Sequence, residues 1–163
     1  MAPNFTLYHP NAKGTGSALR ITRILPQEEV DGRIYSDGVF RFALAPQKGG
    51  MLFDWNNATS FCLDAVELAE MLQVLRGESE AIADRRGFIV PDDDDFCREL
   101  NVRFMHRYEP TQGFLLEVSE PGKNSTELGK FLGGIFLSIP EAITLQLAIE
   151  QSLHLLVFGA PNA

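Results

Sequence analysis

The sequence predicts an α+β fold in which one unit is used twice, each copy a small antiparallel sheet closed by a single helix, within one domain over 1–163. Three observations predict it. The chain resembles itself at an offset of 74 residues: Phe40-Arg41-Phe42-Ala43-Leu44 matches Phe114-Leu115-Leu116-Glu117-Val118, and Phe61 to Glu67 matches Ile135 to Glu141. A capping box opens a helix in each copy, Asp64 with Glu67 and Ser138 with Glu141. Strand-like runs precede each helix in series instead of alternating with helices, which argues against a parallel βαβ sheet. The reading is therefore a pseudo-symmetric ββββα pair, with repeat one over about 4–77, an acidic linker over about 78–99 and repeat two over about 100–159.

Local signals place the elements in order. Phe5 to Tyr8, Ala18 to Leu25, Val39 to Ala45 and Met51 to Trp55 are short runs rich in β-branched and aromatic residues, separated by Asn, Gly, Pro and Asp. They read as a strand meander. After the first capping box, Leu68, Met71, Leu72 and Leu75 give the spacing of an amphipathic helix from about Ala65 to Arg76, ended by Gly77. From Glu78 to Glu99 the composition is charged and irregular, read as a loop with a short strand around Phe88 to Val90. Leu100 to Tyr108, Phe114 to Ser119 and Phe131 to Leu137 read as the strands of the second copy, with a turn at Pro121-Gly122-Lys123-Asn124-Ser125. The last helix tolerates Pro140 in its first turn and runs to about Phe158. Ile143, Leu147, Leu155, Val157 and Phe158 lie largely outside its core stripe, so it is expected to be covered on more than one side, through self-association of the helices.

Composition narrows the function classes. At 163 residues, 45% hydrophobic and with 12 Phe, the chain suits one globular core, and no uncharged apolar run has the length of a membrane span. The start, Met1-Ala2-Pro3-Asn4, lacks the basic and apolar segments of a secretory signal, which suggests a cytoplasmic protein. Cys62 and Cys97 have no ligand spacing and read as plain thiols of a reducing compartment. Gly14-Thr15-Gly16 lacks the third glycine of a dinucleotide turn, there is no phosphate-binding loop, and His9, His106 and His154 are scattered. No enzyme, metal or cofactor is predicted.

The net charge of −8 argues against a nucleic-acid partner, but its distribution weakens that argument. Residues 1–50 carry six basic and four acidic side chains, whereas 51–100 carry four and twelve. The run Asp92-Asp93-Asp94-Asp95 lacks the alternating spacing of a calcium loop and reads as a solvated loop, open to a role in competing with phosphate for the sheets.

Lys13-Gly14 and Ser17-Ala18-Leu19, Gly38-Val39-Phe40-Arg41-Phe42, Ala45-Pro46, Phe53-Asp54-Trp55-Asn56 and Leu63 to Leu72 follow one another in an order that resembles the Whirly family of single-stranded DNA-binding proteins. Phe114 to Val118 and Ile135 to Phe158 are similar to that family's closing strands and C-terminal helix. The resemblance covers nearly the whole chain. It implies two four-stranded antiparallel sheets packed roughly at right angles, two helices, and a homo-tetramer assembled through them. It also implies binding of single-stranded DNA in transcription regulation or DNA repair, and, without a transit peptide, a bacterial or phage-type protein. One departure stands out: the family's Lys-Gly-Lys-Ala-Ala-Leu is here Lys13-Gly14-Thr15-Gly16-Ser17-Ala18-Leu19, longer by one residue and without the second lysine.

Sequence-tolerant single-strand binding needs a positive groove for the backbone and aromatic faces for the bases. Lys13, Arg20, Arg41, Arg103 and Arg107 are the basic candidates, and Phe53, Trp55 and Tyr108 the aromatic ones. The plainer alternatives are a solvated sheet face for the arginines and core packing for Phe53 and Trp55. Two rival functions stay open: binding RNA, or acting as a coactivator as half-sized relatives do, and an acidic protein-interaction module on the same scaffold.

Overall fold

Alternation along the strands decides which side chains reach the core. In the computed structural model, which describes residues 2–91, 97–122 and 128–161, Leu19 and Ile21 of strand β2 (Ser17–Ile24) enter the core while Arg20 and Thr22 take the opposite face. β2 lies between β1 (Asn4–His9) and β5 (Val39–Gly49), and β5 also pairs with the short β6 (Leu52–Phe53) and with β7 (Thr59–Asp64). All of these pairings are antiparallel. A two-stranded hairpin, β3 (Glu29–Val30) and β4 (Arg33–Ile34), interrupts the connection from β2 to β5. Helix α1 (Ala65–Leu75) closes the first copy.

The second copy repeats the plan. Strands β8 (Ala81–Pro91), β9 (Cys97–Arg107), β10 (Gly113–Pro121) and β11 (Leu128–Leu137) form one antiparallel sheet in the order β11-β10-β9-β8, followed by α2 (Ile139–Phe158). The 74-residue offset extends to the hydrogen-bonded register: Phe40 faces Leu63 as Phe114 faces Leu137, and Phe42 faces Phe61 as Leu116 faces Ile135. Both capping boxes are complete, with Asp64 and Ser138 accepting from the backbone of Glu67 and Glu141. Between β2 and β9 the spacing is larger, because residues 25–38 carry the hairpin whereas 108–112 are a short connection. Arg20 faces Ala43 and Arg103 faces Glu117, so the two arginines occupy matching positions.

The two helices meet at the centre of this arrangement. Arg76, just past α1, donates to Glu150 of α2 at 2.9 Å, and these residues are themselves 74 apart. Matching residues of two related helices touch only near the axis that relates them. Aromatic pairs fill the core beneath, Phe42 on Phe61 at 5.0 Å and Phe104 on Phe114 at 5.7 Å between ring centres. Gly38 is buried where the chain re-enters β5, and a Cβ there would overlap the backbone of Leu156 in α2.

Two sequence expectations change. The segment read as a linker holds β8 and the start of β9, because strand pairing supplies at long range what charged residues such as Asp84, Arg85 and Arg86 do not signal locally. Met51 to Trp55 is not a full strand: only Leu52–Phe53 pair with β5, and Trp55–Asn57 turn into one 3₁₀ turn. The fourth full strand of the first copy is instead β7, the partner that the offset assigns to β11. The Asp92 to Asp95 run and the turn residues Lys123 to Ser125 lie outside the described residues. Among the described residues, no helix is long and apolar enough to cross a membrane.

Candidate nucleic-acid interface

The outer face of the first sheet gathers aromatic and basic side chains at one end. Thr6 and Tyr8 of β1 face Arg20 and Ala18 of β2, which face Ala43 and Ala45 of β5. Small residues on β5 leave room above the sheet, and the loop after β6 fills part of it. Asp54 anchors that loop, donating its backbone N–H to the Pro46 carbonyl at 2.8 Å and accepting from Asn57 Nδ2 at 2.7 Å. The turn so fixed lays the Trp55 indole on the Arg20 guanidinium, 3.9 Å from charge centre to ring centre, and Arg20 Nε also donates to Thr6 Oγ1. Tyr8, 55% exposed, packs its ring against Phe53 at 5.7 Å. Arg20, Phe53 and Trp55 are thereby brought together, and Tyr8 joins them.

Arg41 sits further along the same face under the β3–β4 hairpin. Asp31 pairs with it at 2.9 Å. Burial works against its charge, but hydrogen bonds and charge from Tyr35 and Asp31 outweigh that and raise its pKa above the ordinary arginine value. This cation is already neutralised within the chain. Cys62, opposite Arg41 in the ladder, has its thiol pushed up to about 11 by burial, so it carries no reactive thiolate at neutral pH.

A groove of about 490 Å³ separates this end of the first sheet from β10 and β11. One wall is the turn 11–16 with Pro46, the other includes Leu115, Glu117, Phe131 and Phe136. Gly14 takes a left-handed φ of 73° that lets the turn reverse, and the Gln47 side chain holds it to β5 by accepting from the N–H groups of Asn11 and Gly16. Lys13 is exposed in this turn. Ser17 Oγ donates to the Gly134 carbonyl at 2.7 Å and ties the walls together, and His9 Nε2 lies 2.6 Å from Glu141 Oε2 at the start of α2.

The second-sheet candidates are dispersed. Arg103 stands directly across from Glu117, an opposite-charge pair beside the groove. Arg107 is exposed at the far end of β9, about 14 Å along the strand from Arg103 at some 3.4 Å per residue. Tyr108 follows the period of Phe104 and His106 and so takes the face away from both arginines, its ring 4.2 Å from His106, which stacks in turn on Phe114. Tyr8 and Phe131, the latter 59% exposed, are the aromatic groups that residue-by-residue reading passed over. For Tyr8 the signal was present: period-two alternation puts it on the face of Thr6.

The arrangement of sheets and helices superposes on plant proteins of known structure. WHY1 from Arabidopsis thaliana superposes with a TM-score of 0.65 over 97% of this chain and 86% of its own, at 18% identity. WHY3 from Arabidopsis thaliana gives 0.65, 98%, 90% and 18%, and the plant transcriptional regulator PBF-2 gives 0.64, 96%, 82% and 17%. The chain has the Whirly fold. At this identity the likeness speaks to the Whirly architecture. No family model matches the sequence, and no curated protein matches it.

Proposed function

We propose that this chain binds single-stranded nucleic acid, single-stranded DNA in the first instance, with little sequence preference. The observation that carries the reading is the cluster of Trp55 stacked on Arg20 with Tyr8 on Phe53, on the outer face of the first sheet. Unpaired bases stack on aromatic faces at about 1–3 kcal/mol each, and any base has such a face to offer. Lys13, Arg20 and Arg103 supply the positive charge. Arg107 and Tyr108 would contact a strand only if it continued past the groove. The Whirly architecture and the plant regulator among its neighbours support the same reading, including a role in transcription regulation.

Assembly is part of this proposal. Ile143, Leu147 and Phe158 of α2 are 51%, 50% and 75% exposed, which favours a homo-oligomer, a tetramer in the simplest case, joined through the helices. Leu147→Asp should then lower the solution mass measured by light scattering, and an unchanged wild-type monomer mass would refute assembly by this face.

The net charge of −8 and the neutralised Arg41 favour a second reading, an acidic protein-interaction module on the same scaffold. Fluorescence titration of oligo-dT, matched RNA and matched duplex at several salt concentrations separates the two. The binding reading expects tighter binding to oligo-dT than to duplex, with log affinity falling against log salt at about 0.7 per phosphate contact. No binding to any strand at low salt favours the module.

A further inference from the structure

Away from the groove, a pocket of about 250 Å³ opens between the β1–β2 edge and α2. Its floor is apolar, made by Phe5, Ile21, Phe40 and Ala148, and its polar lining is Asn4, Arg23, Gln151 and Ser152. Arg23 falls on the core-facing side of β2, in step with Leu19 and Ile21, which is an unusual place for a cation. Its Nε is fully covered and has no hydrogen-bond partner, and among the described residues no carboxylate lies within ion-pairing distance of the guanidinium. A covered N–H of a charged group left unpaired is costly, and native proteins satisfy nearly all such groups. Every other arginine described above has an aromatic or acidic partner close by or an open solvent face, so Arg23 stands apart.

We infer that this pocket is a binding site for a compact carboxylate with an apolar body. A guanidinium presents a planar fork that matches a carboxylate in bidentate fashion, and its single charge balances that of one carboxylate. The Ser152 side chain, in a residue only 5% exposed, is placed to add a donor from α2. Phe5, Ile21 and Phe40 cover the apolar part, and the volume falls below the roughly 300–1,000 Å³ of sites for drug-sized ligands, which restricts the occupant to a small acid. The carboxylate comes either from a free acid or from an Asp or Glu side chain of a second copy of the chain. Because the pocket straddles β2 and α2, its occupancy bears on how α2 sits against the first sheet and is independent of the nucleic-acid reading.

The test uses the full chain with benzoate as probe, benzyl alcohol as the uncharged control, and Arg23→Gln, which keeps most of the stem. Calorimetric titration should show saturable benzoate binding that is weakened roughly tenfold or more in Arg23→Gln, with benzyl alcohol binding at least tenfold less tightly. Light scattering on the same samples separates the sources. If Arg23→Gln lowers the solution mass while benzoate does not bind, the carboxylate belongs to a second copy. Circular dichroism and thermal unfolding confirm that the variant folds, and Ser152→Ala serves as a second, milder probe. The inference is overturned if benzoate does not bind and the mass is unchanged, or if benzyl alcohol or Arg23→Gln binds as well as the reference.

Discussion

The two copies share a scaffold to the level of strand register, yet their surfaces have been put to different uses. In the first copy the long β2–β5 connection and the loop after β6 fold over the sheet's outer face, so that Arg20 is stacked under Trp55 and Arg41 is clamped by Asp31. In the second copy Arg103 has Glu117 across from it, Arg107 faces Gly113, and the extra length is spent in α2 instead. Symmetric pairing of β5 with β7 and of β10 with β11 is therefore a property of the core, where apolar packing holds sequence and register together. Loops outside the core were free to diverge, and it is there that the aromatic and basic cluster was assembled.

The sharpest break between the copies lies at Gly38, whose counterpart at the 74-residue offset is the exposed Gln112. Gly38→Ala drives a methyl group into the Leu156 backbone of α2 and should cost about 3 kcal/mol in urea unfolding. Gln112→Ala should be close to neutral, and equal losses at both positions would contradict the packing described for α2.

The capping boxes give a subtler contrast. Burial pushes the Glu67 carboxyl up to about 7, with the nearby Asp64 and Glu70 adding to the rise. At Glu141 burial acts the same way, but the hydrogen bonds from His9 and Ser138 outweigh it and hold the carboxyl below the ordinary value. A raised carboxylate pKa means that the folded state holds its proton more tightly than the unfolded chain. The stability Glu67 contributes is thus full below about pH 4.5 and lost as pH rises through about 7. Glu67→Gln, which preserves the capping geometry, should flatten that loss. Glu141 behaves oppositely: its contribution is present above about pH 4.5 and fades as pH falls through its lowered folded value. Thermal unfolding of Glu67→Gln and Glu141→Gln from about pH 2.5 to 8 should show the margin of wild type over Glu67→Gln shrinking as pH rises and its margin over Glu141→Gln shrinking as pH falls.

What the sequence revealed follows the range of the interactions involved. Helix limits, both capping boxes and the core faces of β5 and β10 were legible because they rest on neighbours three or four residues apart or on simple alternation. The strand β8 was not, since its charged composition is local while its pairing with β9 is not. Met51 to Trp55 looked like a strand because aromatic residues favour one, but the Asp54 to Asn57 side-chain bond closes a turn that propensity alone does not show. For the site, Arg20, Phe53 and Trp55 were each visible as residue types, whereas the clamp of Asp31 on Arg41 and the turning of Tyr108 toward His106 are set by tertiary folding.

On the proposed function, single strands are held by the aromatic and basic cluster of the first copy. Oligo-dT titration of wild type beside Trp55→Ala, at one low and one moderate salt concentration, tests it most directly. Wild type should bind in a salt-sensitive way, and Trp55→Ala should lose about 1–3 kcal/mol, roughly five- to 150-fold in affinity. Equal affinity in the two proteins, or no binding by wild type, would contradict it.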